Sequence, residues 1–252
     1  WNDLSGVASK DNYTVTSSRT KITRMSTFGR VNYNYKKRYY FTFTARGDAA
    51  SNFAKNKKWG FFPSGAFKWV LSNENWLKSA RRVDELALRL SAGRTGNNAI
   101  SPYRSLAKFD SSTGGYIFDG EQSTFYYPSR IASNNLTWET TDLYNVALDM
   151  AFCKNRLRFT LEGYLSYTSD LLLYVQKAYQ TGYTSYLENV GRTSNKGVEL
   201  TINSRNITKR NFSWTTDFTI SHNVQMVEDI GSGDRVEAYK SPGNDGAMMY
   251  GY

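Results

Sequence analysis

Apolar and polar residues alternate along most of this chain. From Asn155 to Leu173 it reads NRLRFTLEGYLSYTSDLLL, with Leu157, Phe159, Leu161, Leu165 and Tyr167 on one phase. Arg156, Arg158, Thr160, Glu162 and Ser166 occupy the other. A period of two belongs to a β-strand with one apolar and one polar face. Seven further runs share it. They fall at residues 25–35, 39–48, 59–71, 84–96, 142–152, 195–203 and 212–224. Only residues 75–82 show helical spacing. The pattern predicts an antiparallel all-β protein of about eight strands. It leaves open whether the apolar face lines a packed core or meets lipid.

The connections sort into two kinds. Short, basic turns are predicted at Lys36-Lys37-Arg38, Cys153-Lys154-Asn155 and Lys209-Arg210-Asn211, with a longer link at 73–84. The intervening connections are longer: 48–58, 97–136, 171–188, and the stretch from 231 onward. Alternation of turns and loops puts all the loops at one rim of an up-and-down barrel, as in outer-membrane barrels. A sandwich has no reason to sort its loops, and loops near 40 residues are uncommon in compact soluble domains. From Arg38 to Ser51, at ~3.3 Å per residue, a strand reaches roughly 43 Å. Even with a tilt of ~45° it clears a hydrocarbon layer of ~30 Å.

Composition agrees with strands. Among 252 residues there are 19 Tyr and 14 Phe but only four Pro. Tyrosine suits strands and membrane interfaces, being apolar along the ring and wet at the hydroxyl. The net charge is +10, yet the basic residues are scattered singly, as at Arg30, Arg46, Arg89 and Arg158, which argues against a nucleic-acid partner. No run of ~20 apolar residues is present, which excludes membrane helices and not a barrel. One cysteine, Cys153, excludes a disulfide framework and CxxC metal sites. The opening WNDLSGVASK has no signal-peptide pattern, so the chain reads as cytosolic or as a piece of something longer.

Several stretches resemble one family. They are RMSTFGRVNYNYKKRYYFTFTARGDAASNF, WGFFPSGAFKW, LALRLSAGRTGNN followed by PY, and LENVGRTSNKGVELTINSRNI leading into FSWTTDFTISHN. PGNDGAMMYGY adds a further match. Together they are similar to the SusC/RagA-type TonB-dependent outer-membrane transporters. The resemblance implies a transmembrane β-barrel of ~22 strands with a plugged lumen. It also implies import of glycans or peptides, energy relayed by TonB, and a SusD-like lipoprotein lid over the mouth. It implies long extracellular loops, short periplasmic turns, and the outer membrane of a Gram-negative, Bacteroidetes-like bacterium. No plug, TonB-contact segment or C-terminal closing strand is found, so residues 1–252 read as part of the barrel domain. Neither an enzyme nor a cofactor is expected.

The resemblance also singles out residues. Asn189, Gly191, Asn195, Gly197 and Glu199 form the sharpest motif; two glycines in a strand point to a bulge or a close backbone approach, with ligand contact as the alternative. Arg46 and Asp48 read as a lumenal ion pair, or as a contact for plug or substrate. Phe62, Pro63 and Ser64 read as shaping an edge or a bend, since proline cannot donate to a ladder. His222, the lone histidine, lies on the apolar phase without metal-binding partners. In the longest loop, Tyr103, Tyr116, Phe118, Phe125, Tyr126 and Tyr127 can stack on sugar rings or a lid, or pack the loop against itself. The rival readings are a secreted carbohydrate-binding sandwich, a glycan-cleaving β-enzyme, and a siderophore or cobalamin receptor.

Overall fold

The computed structural model describes residues 19–77, 83–118, 121–177, 179–183 and 185–229. Its main feature is one antiparallel sheet of eight long strands. In chain order the strands are β1 (Arg24–Tyr35), β2 (Tyr39–Ala50), β3 (Trp59–Val70), β4 (Val83–Asn97), β5 (Lys108–Phe118), β6 (Glu121–Arg130), β7 (Glu139–Phe152), β8 (Leu157–Ser169), β9 (Leu172–Gln176), β10 (Ser185–Asn189), β11 (Arg192–Lys209) and β12 (Phe212–Asp229). The sheet runs β1-β2-β3-β4-β7-β8-β11-β12, so each strand neighbours the next one in sequence once two small hairpins are set aside. Those hairpins are β5–β6 and β9–β10. The sheet is a barrel wall that does not close within this chain.

Eight strands were legible as alternation; the two hairpins were not. β5 reads KFDSSTGGYIF, where Ser, Thr and Gly erase any period of two. Residues 97–136 and 171–188 therefore hold paired strands rather than the plain loops the pattern suggested. The helix expected at 75–82 is also absent from its described part. Leu71–Asn73 form a single 3₁₀ turn, residues 75–77 continue as turn, and 78–82 lie outside the described residues. The stretch from 231 onward, including PGNDGAMMYGY, lies outside them too.

Register makes the two faces explicit. One rung joins Tyr35, Tyr39, Trp69, Leu88, Leu148, Leu161, Leu200 and Ile220 across all eight strands. The next rung toward the loops joins Tyr33, Phe41, Phe67, Leu90, Val146, Gly163, Val198 and His222. These side chains face outward with no second layer over them among the described residues: Leu161 is 43% exposed, Phe41 48% and Val198 55%. An apolar surface of that extent marks contact with lipid or another protein. On the opposite face Ala87, Ala147 and Ala151 are fully buried beneath longer polar side chains. A sandwich would have put the leucines inside; here they are outside.

The β1–β2, β7–β8 and β11–β12 connections at one end are short turns. Lys36 and Lys37 both adopt left-handed φ, as do Cys153, Lys154 and Asn155. Such backbone matches the twist of a tight hairpin. All loop excursions lie at the other end.

Candidate functional site

The polar face carries a ladder of charge. One rung runs Tyr40, Lys68, Arg89, Ala147, Glu162, Glu199. Arg89 grips Asp149 with two bonds of 2.7 and 3.2 Å and reaches Glu162 at 3.6 Å. Ala147 stands between Arg89 and Glu162 in register, and its small side chain lets the guanidinium cross above it. Thr160 Oγ1 donates to Asp149, and Asn145 Nδ2 donates to Glu162. Lys68 pairs with Glu85 at 3.2 Å. Ionised groups on a half-enclosed face need partners, and these provide them. Glu199, exposed, stands beside Glu162.

Toward the loops the same face turns basic. Arg46 Nε donates to Asp48 Oδ2 at 2.6 Å and Arg46 Nη2 to Ser26 at 3.3 Å. Asp48 Oδ1 is buried with no partner among the described residues. Arg30 Nε donates to Thr44. Arg24, Ser26, Arg30, Arg46 and Asp48 share one hollow of about 680 Å³ with Phe62 and Trp138. Phe62 lies where β3 parts from β4: their pairing stops at Ser64, beside Pro63, which has no N–H to offer. A Cβ on Gly60 or Gly96 would sit 2.4 or 2.1 Å from the Phe62 ring, so both positions leave room for it.

The motif residues separate along β10 and β11. Asn189 fastens the loop before β7: its Oδ1 accepts from Thr137 N at 2.7 Å, and its Nδ2 donates to Thr137 O and Asp170 O at 2.9 Å each. Gly191 has φ +88°, where side chains are strained. Asn195 receives Ser166 Oγ on its carbonyl, while its own Oδ1 is buried and unpartnered among the described residues. Gly197 lies against Tyr164; an added Cβ would stand 2.6 Å from the ring.

The loop aromatics do not converge on one point. Tyr103 has φ +63°, and its hydroxyl meets both Lys21 N and Lys21 O. The Phe125 and Tyr127 rings lie 6.0 Å apart on β6, and Tyr126 projects from the hairpin at 76% exposure. Tyr116 and Phe118 fall on β5, with side chains outside those described.

Two assemblies escaped the sequence reading. The first is an apolar crown at the loop end, where Ala50, Phe53, Phe62, Leu136, Trp138 and Leu187 pack together. Trp138 Nε1 donates to Lys58 O, Ser133 Oγ to Leu187 O, and Asn52 Nδ2 to Ile100 O. The crown ties the β2–β3 loop, the approach to β7, and the β9–β10 hairpin into one body. A tryptophan just ahead of an alternating run was its one local signal. The second is Glu74 at the turn end. Its carboxylate accepts from Arg38 Nη1, Tyr39 OH and Trp69 Nε1 at 3.1, 2.7 and 3.1 Å. The Tyr39 and Trp69 bonds, with the Arg38 charge, hold the Glu74 carboxyl below its ordinary range. Among the described residues no His, Cys, Asp and Glu group is arranged to hold a metal.

Known proteins share this arrangement. Residues 1–246 match the family described as TonB dependent receptor-like, beta-barrel. The chain is 41% identical over 220 residues to TonB-dependent receptor P3 of Formosa agariphila, covering 87% of this chain and 22% of that protein. It is 34% identical over 235 residues to TonB-dependent receptor SusC of Bacteroides thetaiotaomicron, covering 91% of this chain and 23% of SusC. Among solved structures, that of the RagAB peptide transporter superposes with a TM-score of 0.75 at 26% identity, over 88% of this chain and 24% of that one. The siderophore receptor PirA of Pseudomonas aeruginosa, at 15% identity and a TM-score of 0.52, shares the fold alone. The chain thus spans about a quarter of the length of its SusC- and RagA-type relatives. By motif, by sequence and by the face its leucines turn outward, the chain belongs to the TonB-dependent receptor β-barrel family, and within it to the SusC/RagA type.

Proposed function

We propose that this chain is a barrel segment of an outer-membrane importer of oligosaccharides or peptides. The receptor works beneath a SusD-like surface lipoprotein and is driven by TonB through a plug encoded elsewhere in a longer protein. The loops face the cell exterior and the turns the periplasm. The apolar rungs contact lipid, and the Arg89 and Arg46 clusters line the lumen. Asn189, Gly191, Asn195 and Gly197 set the β8–β11 wall and its join to the crown, whereas Glu199 is exposed to plug or cargo and Asp48 pairs with Arg46 as a lumenal ion pair. Tyr103, Phe125, Tyr126 and Tyr127 offer rings to lid or substrate, and Tyr116 and Phe118 belong to the same excursion in sequence.

The observation that carries this reading is the orientation of the wall. Leucine, phenylalanine and valine cover one side of membrane-spanning strands while paired ions cover the other. Peptides enter because the RagAB structures are those of a peptide transporter, and oligosaccharides because of the aromatic loop. The test is uptake by cells making the intact receptor and its neighbouring lipoprotein, with and without TonB. Labelled oligosaccharide or peptide pools should disappear from the medium only when both partners are present. Accumulation independent of TonB, or receptor recovered in the soluble fraction, would overturn the proposal.

A further inference from the structure

One charge within the apolar rungs of the outward face stands without a carboxylate partner among the described residues. Lys196 sits on β11 in an apolar rung, between Leu165 of β8 and Val224 of β12, and is exposed. It is the first outward residue on the loop side of Val198, Leu200 and Ile202. Among the described residues no carboxylate lies within ion-pair distance of it. The outward ions one rung nearer the loops neutralise each other. Arg94 and Asp142 hold each other through two 2.7 Å bonds. Arg192 donates to Ser169 and stands opposite Asp229. An uncompensated ammonium on a lipid-facing strand costs stability unless an anion from the surroundings pairs with it.

Lys196 also borders a depression. A shallow apolar hollow of about 1120 Å³ crosses the outward face of the sheet. Gly65, Ala92 and Gly163 open it between the larger Phe43, Tyr144 and Leu165. Lys196 is the lone lysine, arginine or carboxylate among its described lining residues. The hollow spans the whole sheet, seven interstrand spacings or roughly 34 Å, wider than one pair of acyl chains. Tyr144 is next to Leu165, and Tyr167 pairs with Ser194, one rung above Lys196, so hydroxyls lie where a headgroup would.

We propose that this hollow seats the acyl chains of a phosphorylated glycolipid in the outer leaflet and that Lys196 binds its phosphate. The lysine stem lies along the apolar rung while the ammonium reaches the interface, where it meets the phosphate as a point charge. The breadth of the hollow favours a many-chained glycolipid over a two-chained phospholipid. This proposal rests on the outer-membrane reading above.

The test is native mass spectrometry of the intact receptor, released from detergent after incubation with one defined lipid at a time. The lipids are bis-phosphorylated lipid A, the same lipid stripped of phosphate, and phosphatidylglycerol. The wild type should retain bis-phosphorylated lipid A above the other two. Lys196→Gln should lower that retention roughly fivefold, the factor for one basic residue near an anionic surface. Arg158→Gln, a polar-face substitution, should leave it unchanged. Heat-modifiable migration on gels confirms that each variant is folded. Equal retention by Lys196→Gln, or of the dephosphorylated lipid, would overturn the phosphate contact; equal retention of phosphatidylglycerol would overturn the glycolipid. A receptor monodisperse without detergent that takes up none of the three lipids would instead sink the membrane reading itself.

Discussion

Gly197→Ala should destabilise the wall, and only while Tyr164 is present. The ideal Cβ at position 197 falls 2.6 Å from Tyr164 Cζ and Oη and 2.8 Å from Cε1. The ring therefore lies across the space a side chain would take, on the strand paired with Gly197 in register. Van der Waals contact begins near ~3.5 Å, so the ring must move by about an ångström. Overpacking of this kind costs about 1–3 kcal/mol. A ring tip can swing on its χ angles, which favours the lower half of that range. Alanine also returns about 0.5–1 kcal/mol that glycine loses within a strand. The net expectation is a loss of up to about 1.5 kcal/mol. In a Tyr164→Ala background there is nothing to hit, so the same substitution should become neutral or stabilising. The difference between the two backgrounds, about 1–2 kcal/mol, is the coupling energy. Denaturant titration of the intact receptor in lipid vesicles, read by gel mobility, measures all four corners of the cycle. If Gly197→Ala raises stability equally in both backgrounds, the steric argument is wrong.

Three further expectations follow from the crown, the turn end and the charge ladder. Trp138→Ala should cost about 3–5 kcal/mol within the crown, and it should speed amide exchange at Ala54 and the 51–58 loop; unchanged exchange would mean that the loops are not joined there. The Glu74 carboxyl is depressed in the folded state, so its stabilisation is complete above the ordinary value near 4.5 and is lost as pH falls through the lower folded value. Trp69 fluorescence should accordingly change on acidification below about pH 4 in the wild type and stay flat in Glu74→Gln, and coincident curves would refute the hub. Arg89→Ala leaves Asp149 and Glu162 facing each other without their cation. With 41% of the Arg89 side chain exposed, solvent screening reduces the loss to about 1–2 kcal/mol. Arg89→Ala with Asp149→Ala should recover part of it in the same denaturant assay, and failure to recover any would discount the pair.

The wall was legible because its physics is local. β7 and β8 each bury small or polar residues on one side and show large apolar ones on the other, so a period of two survives in the sequence. The turn ends were legible for the same reason, as polar, basic breaks between two in-phase runs. The β5–β6 hairpin was not: Ser111, Ser112, Thr113, Gly114 and Gly115 carry no facial signal, and pairing with β6 makes the segment a strand. The crown was hidden because Phe53, Leu136 and Leu187 meet only after three separate excursions fold over one rim. Glu74 misled in a different way. Its surroundings have helical spacing, but Arg38 of the β1–β2 turn, Tyr39 of β2 and Trp69 of β3 claim its carboxylate, and residues 75–77 stay as turn. Of the motif, a glycine at 197 announces that something comes close, yet nothing in the neighbouring sequence names Tyr164 as what does.

The left-handed turn positions have a bearing on how such a wall is made. Lys36, Lys37, Cys153, Lys154 and Asn155 hold backbone angles that only glycine adopts freely, so each hairpin begins with a local penalty that its strands must overcome. A hairpin held shut by cross-strand contacts rather than by its bend has little reason to form alone in water. It gains that reason when neighbouring strands and hydrocarbon arrive together. The β1–β2 and β7–β8 hairpins therefore draw their stability from the assembled wall rather than from their own bends.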